Sequence, residues 1–312
     1  MSYRDFGPQL YEYDGKPTAS SPVTTVLSAP AIETENNVTI CHALPDPALT
    51  TVGPWCAIEY FRSSDADGPS LWTRGMQPAT GSQELSWMHC GELMHADGLG
   101  NQQELRAGRL GVVTNGSGLK HGVYTRDNYV GPIGGVRLRI ALPSSQRDIA
   151  PSWEYHSMLP VTTGQKFRAT ILAGELDGMK SPATTYSPLF GADVALSPRA
   201  NLRLPLQRDF EYAVLVTNGT ASIERVAVNA DSLIHLGMGR NELEISSESD
   251  SRLLLFGGEP LPQKHVMWRG FIAHDRNEVE RFRIKWTTKR FDDVPEIEDG
   301  FSELTRRSRL RA

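Results

Sequence analysis

The chain has 312 residues, of which 39% are apolar and 22% charged, with a formal net charge of −5. That length predicts about two domains with enough apolar material for sizeable cores, and the acidic balance argues against a nucleic-acid-coating protein, which needs a basic face. The three cysteines, Cys41, Cys56 and Cys90, have no CxxC spacing, so neither a disulfide framework nor a zinc knuckle is expected.

The first residues, Met1–Gly15, lack the apolar stretch of a secretory leader. No run approaches the ~18 apolar residues of a membrane span, so a cytoplasmic protein with no membrane partner is expected. Residues 1–36 are rich in Pro, Ser and Thr and read as an N-terminal arm with one strand at Val23–Leu27. Short apolar runs then recur between turn residues at Val52–Phe61, Glu84–Met88, Leu110–Val113 and Val136–Leu142. Pro143–Pro151 breaks the rhythm and marks the expected domain boundary. Strands resume at Phe167–Leu172, Glu211–Thr217, Ala221–Val226, Ser232–Leu236 and Arg252–Phe256, with Asn218-Gly219 predicting a hairpin. The 28 glycines and 20 prolines fit such a turn-rich pattern, which predicts sandwiches or barrels. One helix is predicted over Asp275–Arg290, with Val279, Phe282 and Trp286 on one face and Asp275 and Glu278 spaced as a capping box. Thr305–Ala312 holds four arginines and reads as a solvated basic tail.

Between Gly75 and Val123 lie three segments that belong together. They are Gln77-Pro78-Ala79-Thr80-Gly81, His95-Ala96-Asp97-Gly98-Leu99-Gly100, and Asn115-Gly116-Ser117-Gly118-Leu119-Lys120-His121-Gly122-Val123. In this order they resemble the metal motifs of the pirin family, whose members carry His-Pro-His-Arg-Gly, His-x-Asp-Ser-x-Gly and Ala-Gly-x-Gly-x-x-His-x-Glu. Leu44-Pro45, Val52–Trp55, Leu142-Pro143 and Ser251–Pro260 followed by Trp268 and Phe271 extend the similarity over about residues 37–295. The resemblance implies an all-β bicupin: an arm (1–36), an N-terminal cupin barrel (37–145), a C-terminal cupin barrel (146–300) bearing the helix, and the tail (301–312).

In this family three His and one Glu hold a non-haem iron in the N-terminal barrel. The resemblance places Gln77 and Ala79 at the first two His positions, His121 at the third and Val123 at the Glu position. Alternating strand geometry puts Gln77 with Ala79, and His121 with Val123, on one side of their strands. An amide is a poor ligand and Ala and Val are none, so no resident metal cofactor is expected. Glu84 and His95 are the residues through which a displaced site for Fe or another divalent transition metal could form. The resemblance therefore implies a metal-free protein that binds a small molecule or a protein partner, without direct nucleic-acid binding. The alternative is a dioxygenase of the quercetin 2,3-dioxygenase type with a rearranged site. A third reading is cofactor-free chemistry by Gln77, His95 and His121.

Overall fold

In a computed structural model of the chain, residues 10–35, 38–63, 72–126 and 129–287 are described. They form two β-barrels, each made of one large and one small antiparallel sheet. The N-terminal barrel has a seven-stranded sheet in the order Ser152–His156, Leu110–Thr114, Ser82–Cys90, Gly134–Ala141, Trp55–Ser63, Val38–Leu44, Ala31–Glu35. A four-stranded sheet faces it, ordered Thr73–Ala79, Leu119–Tyr124, Glu92–Asp97, Gln102–Arg106. The C-terminal barrel opposes an eight-stranded sheet, centred on Leu189–Leu196, Ser251–Gly258 and Glu211–Asn218, to a four-stranded one containing Ala200–Pro205 and Glu242–Ser247. A small sheet of Tyr11–Tyr13, His265–Trp268 and Phe271–Ala273 leads into the helix Arg276–Thr287.

The period of two along a strand decides what each face meets. In the large N-terminal sheet Ile58, Tyr60, Leu85, Trp87, Val136, Leu138 and Ile140 point outward, into one core shared with Leu172, Leu189, Ala213, Leu254 and Phe256 of the C-terminal barrel. Trp55 crosses this seam, donating from Nε1 to the Gly257 carbonyl at 2.8 Å and meeting Phe256 edge-on. Its ring lies where a Cβ on Gly191 would come within 3.0 Å, so glycine there makes room for it. The barrels are thus joined by a face as apolar as a domain interior.

Their interiors differ. The C-terminal barrel is filled by Ile171, Phe190, Val214, Val216, Ile234, Leu253, Leu255 and similar side chains. The N-terminal barrel has an apolar end, formed by Val38, Ile40, Phe61, Trp72, Met88, Leu93, Leu105 and Val123. Its other end is polar, because alternate residues on Val38–Leu44, Trp55–Ser63, Gly134–Ala141 and Ser82–Cys90 are His42, Glu59, Arg137, Arg139, Glu84 and Ser86, all paired in register.

Several expectations need adjustment. The arm is woven into both barrels: Pro22–Ser28 pairs with Ser232–Gly237, and Ala31–Glu35 with Val38–Leu44. After the Pro143–Pro151 break the chain adds one more N-terminal strand, Ser152–His156, before it enters the C-terminal barrel. Asn218-Gly219 is not a hairpin. The strands on either side lie in different sheets, and Gly219, at φ +75°, turns the corner between them. The hairpin in this region pairs Thr220–Ile223 with Val226–Asn229 through Glu224 and Arg225, both at positive φ. The helix starts as expected: Glu278 N–H donates to Asp275 Oδ1 at 2.8 Å, and Glu278 Oε2 accepts from the His274 N–H at 2.7 Å. Residues 288–312, with the basic tail, lie outside the described residues, as does the side chain of Trp286.

Candidate functional site in the N-terminal barrel

The polar end of the barrel gathers the residues singled out in the sequence, with unequal results. His121, on Leu119–Tyr124, is flanked in register by Gln77 on one side and Asp97 on the other. Directly opposed residues share a face, so Gln77, Ala79 and His121 line one small cavity together with Gly75, Pro78, Arg137, Arg139 and Gly270. Its volume is about 10 Å³, room for about one water molecule. Gln77 is exposed at the rim while His121 is buried on the floor. Among the described residues the His121 ring has no hydrogen-bond partner; its nearest ring neighbour is His95, 6.3 Å away between centroids.

Val123 and His95 are brought to the barrel but not to this cavity. Val123 keeps the same side of its strand as His121, in regular register opposite His95. One step further along the lumen it packs in the apolar end with Phe61, Trp72 and Met88. The irregularity here is an extra residue on Thr73–Ala79, where Arg74 opposes Val123. His95 lies flat on Trp153, ring centroids 3.7 Å apart and planes within 3°. Its Nε2 is 3.0 Å from Asp97 Oδ2, and Asp97 is itself held by the N–H groups of Leu99 and Asn101 and by Asn101 Nδ2. Burial pushes the Asp97 carboxyl up, but His95 and Asn101 outweigh it and hold it below its ordinary value. His95 is therefore a clamped wall residue.

Glu84 reaches the site but is already engaged. Its Oε2 accepts from Arg139 Nη2 at 2.9 Å, and its Oε1 accepts from Arg137 Nε at 3.1 Å and from Arg137 Nη2. Arg137 also approaches Glu59 at 3.5 Å, Glu59 approaches His42 at 3.4 Å, and Arg139 Nη1 donates to the Arg269 carbonyl at 2.8 Å. Burial would raise the Glu84 carboxyl, yet Arg137, then His121 and Arg139, hold it well below the usual carboxylate range. For His121 burial dominates and pushes the imidazole down to about 4; Glu84 opposes this, and His95, Arg137 and Arg139 add to it. At neutral pH the floor of the cavity is a neutral imidazole beside two guanidiniums that share the Glu84 carboxylate, with Glu59 as a second carboxylate 3.5 Å from Arg137.

Arg137 and Arg139 were not foreseen as site residues. Their alternation with Leu138 and Ile140 shows that they share one face of a strand. A charged face more often meets solvent, and nothing local says that this one closes over a lumen. Trp153 was missed because it lies beyond the Pro143–Pro151 break.

Comparison with known proteins decides the family. Residues 38–138 match the family model described as Pirin, and residues 191–292 match the one described as Pirin C-terminal cupin domain. The chain belongs to the pirin family. It is 34% identical over 264 residues to a Pseudomonas aeruginosa protein named "Putative quercetin 2,3-dioxygenase", covering 83% of this chain and 82% of that one. A structure titled quercetin 2,3-dioxygenase from Acinetobacter baumannii superposes with a TM-score of 0.83 at 28% identity, covering 89% of this chain and 93% of that one. A bacterial pirin of Escherichia coli solved with nickel(II) shares the fold, with a TM-score of 0.58 at 17% identity over 81% of this chain and 100% of that one.

The metal that the family implies does not fit the donor set of this pirin. Of the four positions that the resemblance implies, Gln77 is a rim amide, Ala79 has no donor atom and Val123 is buried among apolar side chains, which leaves His121. Among the described residues no group of three or more His, Cys, Asp or Glu side chains is placed to hold a metal ion. The carboxylate that could replace the missing ligand, Glu84, is shared between two guanidiniums, and those guanidiniums would repel a dication entering beside His121.

Proposed function

We propose that this pirin acts by binding a small polar molecule, or a protein partner that presents one, at the mouth of its N-terminal barrel, and that no transition metal takes part. The observation that carries this reading is the Arg137-Glu84-Arg139 cluster, which stands in the polar end of the lumen where a usable ligand set would have to form. Gln77 at the rim offers both a donor and an acceptor, and His121 an unengaged neutral ring. A cavity of about 10 Å³ admits little more than one functional group of the partner, so the bulk of a ligand would rest on the rim.

A second reading is favoured by the names of two similar proteins. Quercetin 2,3-dioxygenase chemistry here would need a metal held by His121 with His95, whose rings lie 6.3 Å apart. Oxygen uptake with quercetin separates the two. Protein incubated with Fe(II), Ni(II) or Cu(II) and desalted is expected to consume no oxygen above the buffer control. Metal-dependent uptake that disappears in His121→Ala would overturn the binding reading in favour of the enzyme.

A further inference from the structure

A different part of the fold carries a buried cation without a hydrogen-bonded anion. Arg147 follows the short 3-10 turn Ser144–Gln146 and is only 3% exposed, yet its Nε and Nη1 have no hydrogen-bond partner. Its stem is packed at Gly81, where a Cβ would come within 3.0 Å of Arg147 Cγ and 2.5 Å of the Ile272 carbonyl oxygen. His265, on the strand that pairs with Tyr11–Tyr13, is 2% exposed and has neither ring nitrogen in a hydrogen bond. The Tyr13 ring lies 4.8 Å from the His265 ring, and its hydroxyl is also buried without a partner, as is the hydroxyl of Thr80 next to Gly81. All these groups belong to one seam, where the arm and the His265–Ala273 hairpin close over the end of the N-terminal barrel.

Buried polar groups are normally hydrogen-bonded, and buried charges normally paired. Here donors predominate among the unmatched groups: two N–H groups of a guanidinium, one N–H of a histidine and two hydroxyls. Glu278 and Asp148 act on Arg147 electrostatically, which raises its pKa, but burial outweighs them and lowers it, and neither accepts a hydrogen bond from it. Burial, then the neighbouring Arg147 charge, push the His265 pKa down to about 4 against the smaller opposing effect of the Gln263 backbone, and keep the ring neutral at pH 7. The seam therefore holds one positive charge with no hydrogen-bonded counter-ion and several buried donors without acceptors.

We propose that Arg147 and His265, with Tyr13 and Thr80 beside them, form a binding site for a single monovalent inorganic anion of chloride size. One negative charge neutralises one guanidinium, whereas a dianion would leave a new unpaired charge in the same buried place. The anion would tie the arm and the hairpin to the N-terminal barrel. The site is separate from the lumen and does not depend on the reading of Gln77 and His121.

The test measures thermal unfolding of the full chain while chloride replaces gluconate at constant ionic strength. Stability is expected to rise with chloride and, above the dissociation constant, to gain a factor of ten in the folding equilibrium for each tenfold increase. Arg147→Met is expected to abolish that dependence. A wild-type midpoint indifferent to chloride, a dependence that survives in Arg147→Met, or a response to phosphate alone would each overturn the proposal. If Arg147→Met does not fold, crystals of the wild type grown in bromide decide: an anomalous peak within hydrogen-bond reach of Arg147 and His265 supports the site, and no peak there means that water fills it.

Discussion

Glu84 shows how a single residue can look available in sequence and be committed in structure. It lies five residues after Ala79, where a replacement carboxylate ligand would be wanted, and it does point into the lumen. Its two oxygens, however, serve Arg137 and Arg139. Glu84→Gln would leave two guanidiniums short of a counter-charge in a site that is largely closed to solvent. The expected loss is about 3–5 kcal/mol, the range for breaking a buried pair by removing one partner, read from urea unfolding of the variant against the wild type. A loss below about 1 kcal/mol would mean that the cluster behaves as a surface pair. At this scale the sequence was legible for identity and mute about commitment. His121, Gln77 and Ala79 share a cavity, and Val123 keeps the side of its strand that His121 takes, as the alternating period requires. That the next inward step along the lumen is already the apolar end with Phe61 and Met88 has no sequence marker.

Among the elements, strand positions followed from apolar rhythm, because a strand with one face on a core has to alternate. The partners of those strands did not follow. Asn218-Gly219 supplies the positive φ that a hairpin needs, but a corner between two sheets needs the same φ, and only the long-range pairing distinguishes them. The hairpin turn itself is formed by Glu224 at φ +49° and Arg225 at φ +67°, residues with no local preference for that region. Arg225→Gly is therefore expected to stabilise the protein by about 1 kcal/mol, since glycine meets no Cβ penalty there, as read from the urea midpoint. Glu224 is a poor choice for the same change, because its carboxylate accepts from Arg240 at 2.6 Å and from the Glu244 N–H at 2.8 Å. The helix was legible from its cap. Asp275→Ala should cost about 1 kcal/mol and show as faster amide exchange in the first turn of Arg276–Thr287, with the barrels unaffected.

For the whole molecule, two barrels fused through an apolar seam should unfold together, and acid should be their common weakness. Burial pushes His89, His121 and His265 each down to about 4, against an ordinary value of 6.5. The unfolded chain therefore takes up protons near pH 6.5 that the folded chain refuses until about pH 4. Stability is complete above pH 6.5 and is lost as pH falls through that window, with a slope approaching three protons, or about 4 kcal/mol per pH unit at the limit. Urea midpoints measured from pH 7.5 to 4.5 should begin to fall near pH 6.5; a flat profile down to pH 4.5 would show that these imidazoles are not buried as neutral groups. The pirin fold was legible at this scale because its motifs come in a fixed order. The contrast between a polar N-terminal lumen and a filled C-terminal one was not, since both halves have the same strand rhythm.

The function of the protein turns on what occupies the N-terminal lumen, and metal content tests that directly. The 312-residue chain, purified without chelator, incubated anaerobically with Fe(II) or Ni(II) and desalted, is expected to retain far less than one metal per chain, because one histidine beside two guanidiniums cannot hold it. Close to one tightly held metal per chain, lost in His121→Ala, would contradict the account.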